Sequence, residues 1–228
     1  MLHHCNILIR PMSKLSLVKK LSVLQEEQKH VDELALELTG LVFDRGSVVD
    51  ISGGAASGKT AVVLSLLAKL TVDGEICAVV DSGDGFDPQS AMISGVLLEN
   101  LLWVRCGGDV EKAFIATDHL VQAKGFGAIW LNLGGLPLKK LRMVPKSYWY
   151  RYRTRIKETP TMLFVTAEEP ITGSASQHAY TFSRPRRASW SGFGRFKLLR
   201  SLDIEMTSRK QFYGRPLQTT IEANYNNA

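Results

Sequence analysis

The sequence predicts an α/β fold: a mostly parallel sheet flanked by helices, with antiparallel strands added at one edge. Three observations predict it. Apolar runs recur at Ser47–Ser52, Ile76–Asp81, Leu101–Arg105, Ala128–Leu133 and Thr161–Thr166, nearly uninterrupted, as expected of strands covered on both faces. Helically spaced segments alternate with them through short connections, the β-α-β-α rhythm of a doubly wound sheet. The first run ends in a glycine-rich turn, Gly53-Gly54-Ala55-Ala56-Ser57-Gly58-Lys59-Thr60, which opens directly into a helical pattern over Ala61–Leu70.

That turn has the spacing G-x-x-x-x-G-K-[ST] of a phosphate loop, with a strand before it and a helix after it. Glycines let successive N–H groups point inward as an anion nest, and the helix N-terminus adds partial positive charge. Lys59 is expected to reach the β- and γ-phosphates, and Thr60 to ligate Mg²⁺. With glycine at about 7% of residues, a chance match in a chain of this size is on the order of one in a hundred. The motif therefore specifies nucleotide binding, with Gly53 to Thr60 as the cradle, and leaves hydrolysis open.

Length and composition suit one large α/β domain with a small appendage: 228 residues, 45% hydrophobic. No run of 18 uncharged apolar residues occurs, so no transmembrane helix is expected. Ile7-Leu8-Ile9 is cut short by Arg10-Pro11, too early for a signal peptide, which points to the cytoplasm. Cys5, Cys77 and Cys106 are odd in number and widely spaced, which favours reduced thiols over a disulfide frame or a metal site. The net charge of +6 conceals a division: residues 139–228 hold 17 Lys and Arg against six Asp and Glu, whereas residues 1–138 are net acidic. A basic C-terminal part is expected to meet a polyanion.

Taken in order, Ser13–Leu38 has the leucine spacing of a helix, closed by Thr39-Gly40. Residues 1–40 are thus expected to form an oligomerisation or docking segment, and 41–228 the core. After the phosphate loop and its helix comes the second strand, then an acidic, glycine-containing loop at Ser82–Pro88. The third strand precedes Gly107-Gly108, and a helix over 110–124 follows with Asp109 as its cap and Gly125 as its stop. The fourth strand leads to a basic stretch and a helix over Tyr148–Lys157 carrying Arg151, Arg153 and Arg155. After the fifth strand, Gly173–Gln177 is expected to be a loop. Strand-like runs at Ala179–Ser183, Leu202–Ser208 and Leu217–Ala223 complete the edge. Between them, Arg184, Arg186, Arg187 and Arg195 are interleaved with Trp190 and Phe193, a pattern that can clamp phosphates and stack bases.

Residues from Ser47 to Pro88, with Val80-Asp81-Ser82-Gly83-Asp84-Gly85-Phe86-Asp87-Pro88, resemble the RecA recombinase core. Leu101-Leu102-Trp103-Val104-Arg105-Cys106-Gly107, Pro170–Ser176 and Tyr213-Gly214-Arg215-Pro216 are similar to the ImuA group of RecA relatives, which serve damage-induced mutagenesis. The resemblance covers about residues 40–225 and implies a RecA-like P-loop NTPase core with ATP and Mg²⁺ as cofactors. It also implies three partners: RecA, an ImuB-like Y-family polymerase subunit, and single-stranded DNA. A homo-oligomer is also compatible, and no membrane role is implied.

The departures from the family pattern are chemical. Gly83 stands where RecA has the glutamate that polarises the attacking water. Asp84, one residue along, is the sole stand-in, so no catalytic residue is assigned. Asn132 takes the place of the aspartate that orients Mg²⁺, keeping an acceptor oxygen but losing its charge. Asp87 is retained at the nucleotide side, while Ser90 replaces the adenine-stacking tyrosine. Lys210 matches the first of two lysines that reach a neighbour's γ-phosphate, and Phe212 replaces the second. Thr166-Ala167-Glu168-Glu169 replaces an Asn-Gln sensor that couples ATP to DNA binding. Contacts with nucleic acid are therefore expected from Arg184, Arg186, Arg187, Arg195, Arg151 and Arg155.

The expected function is an accessory protein of error-prone, translesion DNA synthesis that binds nucleotide, DNA and proteins with little hydrolysis. The alternatives are a DNA-dependent ATPase of recombinase type and a capping inhibitor of RecA filaments. His3-His4-Cys5 lacks a third fixed metal ligand, and His119 and His178 have no evident catalytic pairing. Trp103 and Trp130 are expected in the core. Trp149 and Trp190, among basic residues, are candidates for stacking on a base or a partner.

Overall fold

The computed structural model describes residues 33–36, 41–183, 188–191, 198–210 and 217–222, all within the unit Glu33–Ala228. Strands β3 (Val48–Gly53), β4 (Cys77–Asp81), β5 (Leu101–Arg105), β6 (Ala128–Asn132), β7 (Met162–Ala167) and β8 (His178–Ser183) run parallel, in the order β8-β3-β7-β6-β4-β5. Antiparallel β10 (Leu198–Ser208) extends the β8 edge and pairs in turn with β9 (Ala188–Ser191) and β11 (Leu217–Glu222). This is the fold class that the apolar runs predict. β3, β4, β6 and β7 are buried at every position, which is why their sequences do not alternate.

Alternate residues of each strand feed opposite cores. Val49, Ile51, Val79, Trp130 and Phe164 face α1 (Lys59–Val72). Val48, Val80, Leu131, Leu163 and Val165 face α3 (Val110–Ala123) and α5 (Ser147–Ile156). The short α2 (Pro88–Ile93) and α4 (Leu138–Arg142) lie between β4 and β5 and between β6 and α5 in the chain. Asp109 caps α3 by accepting from the Lys112 amide at 3.2 Å. Trp149 is buried, its ring 5.0 Å from that of Phe114, so it is a core residue and not a stacking platform. Tyr152, also buried, donates its hydroxyl to the Phe114 carbonyl at 2.7 Å.

Two further expectations need correction. The helix read over Ser13–Leu38 is overturned at its end, because β1 (Glu33–Leu36) is extended and pairs antiparallel with β2 (Leu41–Asp44). Leu34 keeps helical spacing with Leu38 and strand alternation with Leu36. Pairing with β2, whose Leu41 and Phe43 are buried while Val42 and Asp44 are exposed, decides for strand. The rest of that helix lies outside the described residues. Gly173–Ala175 is a 3₁₀ turn within the expected loop, and His178 begins β8. As expected, Cys77 and Cys106 are free thiols; both are buried, and burial pushes Cys77 up to about 12. No helix among the described residues is long and apolar enough to cross a membrane.

Candidate nucleotide-binding site

The phosphate loop joins β3 to the N-terminus of α1, a helix of 14 residues whose first turn has no side-chain cap. Its leading amides are therefore open to an anion. Gly58 has φ 89°, where a side chain is strained, and a Cβ there would press on the tip of Ile204 of β10 at 2.5 Å. Ile204 is itself buried, which means the edge strand buttresses the loop. Lys59 Nζ folds back and donates to the carbonyls of Gly53 at 2.9 Å and Gly54 at 3.1 Å. Burial pulls the Lys59 ammonium below its ordinary pKa, while the Glu168 carboxylate pushes the other way. The Ser57 hydroxyl is buried without a hydrogen-bond partner. An open helix end, a buried unpaired hydroxyl and an ammonium bent over the loop fit a polyphosphate. In RecA-like proteins ATP with Mg²⁺ supplies the phosphoanhydride; here residues 53–60 would hold and orient it. Thr60 is exposed in the first turn of α1, available as a metal ligand.

At the other strand ends the side chains are turned on the protein itself. Trp130 Nε1 donates to Thr166 Oγ1 at 2.8 Å, and Thr166 donates to Asn132 Oδ1 at 3.1 Å. The same oxygen accepts from the Gly134 amide at 3.2 Å. Asn132 Nδ2 donates to Asp81 Oδ1 at 3.4 Å, and Asp81 also accepts from the Gly85 and Phe86 amides at 3.0 and 2.9 Å. Asn132 is thus a buried bridge between β4, β6 and β7. Its acceptor oxygen is already occupied by two donors, which argues against the metal role read from the sequence. Gly83 has no room for a side chain: a Cβ would sit 2.7 Å from the Gly134 carbonyl oxygen. Asp84, with φ 54°, pairs with Arg105 at 3.0 Å. Arg105 ends β5, four places from β3 across the sheet.

Asp87 caps α2, accepting from the amides of Gln89 at 3.2 Å and Ser90 at 3.0 Å and from the Ser90 hydroxyl. The Ser90 hydroxyl bond and these amides hold its carboxyl below the usual range. Its role here is to start a helix, a signal present in the sequence as Asp followed by Pro at the first helical position. Lys210 Nζ donates to the Gly173 carbonyl at 3.4 Å.

Of the expected nucleic-acid contacts, Arg184, Arg186, Arg187 and Arg195 lie outside the described residues. Arg151 and Arg155 both donate to Asp118 of α3, at 3.0 and 2.5 Å, and so clamp α5 onto α3. Their first task is structural, and one carboxylate offsets one of the two charges.

Sequence reasoning missed one group and the setting of another. Asp50, fully buried in β3, accepts from the Ile171 and Thr172 amides at 3.3 and 3.0 Å and pairs with Arg209 at 3.0 Å. The signal was a lone carboxylate inside an apolar strand; its partners are more than a hundred residues away. Glu168, the residue following β7, stood in the sequence only as part of the segment replacing an Asn-Gln sensor; its charge felt by Lys59 is what the structure adds.

The family model of the RecA N-terminal domain matches residues 14–132. Protein RecA of Pseudomonas putida is 36% identical over 97 residues, 42% of this chain and 26% of that protein. Protein RecA of Brucella anthropi is 40% identical over 91 residues, 40% of this chain and 24% of that protein. The matched stretch thus spans about a quarter of the length of these curated relatives. The RadB recombinase structure superposes with a TM-score of 0.60, covering 82% of this chain and 91% of that one at 13% identity, a likeness of fold. With more than half its length matched by that family model, the chain belongs to the RecA N-terminal domain family.

Proposed function

We propose that this protein is a RecA-family accessory factor of the DNA damage response, of the ImuA type, acting in translesion synthesis. It binds ATP with Mg²⁺ in the loop Gly53–Thr60 and works through contacts with single-stranded DNA, RecA and an ImuB-like polymerase subunit. It hydrolyses ATP little or not at all. One observation carries this reading: the position for a catalytic glutamate, Gly83, is walled off by the Gly134 carbonyl at 2.7 Å. The turn of Asp84 toward Arg105 supports it further, because the adjacent carboxylate is engaged elsewhere. Loss of a positioned general base costs about 10²–10⁴-fold in rate. The basic stretch 184–195 would neutralise phosphates, so affinity for single-stranded DNA is expected to fall steeply between low and moderate salt.

The test is a pull-down from DNA-damaged cells with wild type and Lys59→Ala side by side. Recovery of polymerase subunits supports the accessory reading. The intact loop, with Lys59 in reach of Gly53, equally favours a second reading: a DNA-dependent ATPase acting as a recombinase. A nucleotide-dependent homofilament in the same experiment selects that one.

A further inference from the structure

We infer that Glu168 sets which nucleotide the phosphate loop prefers, favouring a nucleoside diphosphate by holding a carboxylate where a terminal phosphate would approach Lys59. The inference rests on the reading that residues 53–60 hold a nucleotide.

Sheet register places the group. β3 and β7 are parallel neighbours with Ser52 opposite Ala167, so the next residues, Gly53 and Glu168, leave the sheet side by side. Alternation along β7 puts Phe164 in the core under α1 and Ala167 in the opposite one, with Thr166 bonded to Trp130 and Asn132. Continued by one residue, that alternation sends Glu168 to the α1 side, where Lys59 opens the helix. Lys59 Nζ lies on the Gly53 carbonyl at 2.9 Å, at the same end of the loop. The electrostatic influence of Glu168 on Lys59 follows from that placement.

The backbone that carries Glu168 is held from both sides, while the residue itself is exposed. β7 fixes the chain before it, and the Asp50 carboxylate fixes Ile171 and Thr172 just after it, at 3.3 and 3.0 Å. Glu169 is turned away onto Arg142 at 2.6 Å. Among the described residues no ion pair neutralises Glu168. In a phosphate loop the backbone amides cradle the α- and β-phosphates, while the lysine reaches the β- and γ-phosphates. A γ-phosphate would therefore bring its charge toward Glu168, whereas a diphosphate ends one group short. Like charges brought together at the mouth of the loop repel, partly screened by solvent because Glu168 is exposed.

The test is titration calorimetry of the full chain with Mg·ADP and with a non-hydrolysable Mg·ATP analogue, for wild type, Glu168→Gln and Lys59→Ala. The expected result is a wild type that binds the diphosphate on the order of tenfold more tightly. Glu168→Gln should close that gap by strengthening the triphosphate, with diphosphate affinity changed by less than about threefold. A wild type that prefers the triphosphate, or a Glu168→Gln that shifts both nucleotides alike, overturns the inference and leaves the nucleotide site standing. If wild type binds neither nucleotide and matches Lys59→Ala, the underlying reading falls as well.

Discussion

The strand end at β3 and the strand ends at β4 and β6 are built in opposite ways. At β3 the loop keeps an open helix N-terminus, an ammonium folded over two carbonyls and a left-handed glycine. At β4 and β6 the polar groups satisfy one another: Asp81 holds the backbone of its own loop, Asn132 bridges three strands, and Asp84 is paired with Arg105. The difference teaches that gripping a polyphosphate and attacking it are separable. The grip is local in sequence, a single turn and helix. The attack needs groups assembled from several strands, and on the proposed reading Gly83 leaves one of them out.

Substitutions can break or sharpen this contrast. The largest effect is expected at Lys59→Ala, which should weaken nucleotide binding on the order of a hundredfold, measured by calorimetry. Unchanged affinity would mean that the open helix end is not the site. Gly83→Glu should leave phosphate release at the wild-type level and lower stability by about 1–3 kcal/mol in chemical denaturation, since its Cβ meets backbone. Gained hydrolysis would show that the 82–86 loop can yield. Asn132→Asp puts a second carboxylate 3.4 Å-scale close to buried Asp81. A loss of about 1–2 kcal/mol is expected, again by denaturation, with no gain in turnover.

The smallest effect is expected away from both regions. Burial works to raise the Asp118 carboxyl, but its bonds to Arg155 and Arg151 outweigh that and hold it below the ordinary range. Asp118→Asn should cost about 1 kcal/mol at neutral pH, the arginines being partly exposed. A depressed folded-state pKa means this contribution is complete above the unfolded value, about 4, and is lost as pH falls through the folded one. The stability gap between wild type and variant should narrow on acidification.

The grip was legible in the sequence because its signals are local: glycine spacing, Lys-Thr, and an apolar run before a helical one. The central strands were legible for the same reason, being long, apolar and bounded by turns. β1 was not, since Leu34 fits helical spacing with Leu38 and strand alternation with Leu36, and only pairing with β2 settles it. Nor was Trp149, whose basic neighbours on the helix face suggested exposure while its own face packs on Phe114. Asp50 and Arg209 meet only after β3 and β10 are both placed, and Glu168 gains its meaning only from the register of β7 against β3. Contacts set by sheet order leave no mark in a linear pattern.

The most direct measurement is bound nucleotide and phosphate release followed in one sample of the full chain, with and without single-stranded DNA. The account predicts that nucleotide is held in a Lys59-dependent manner while phosphate release stays near the uncatalysed rate in both conditions. Lys59-dependent, DNA-stimulated turnover at the rate of a RecA recombinase run alongside would contradict it.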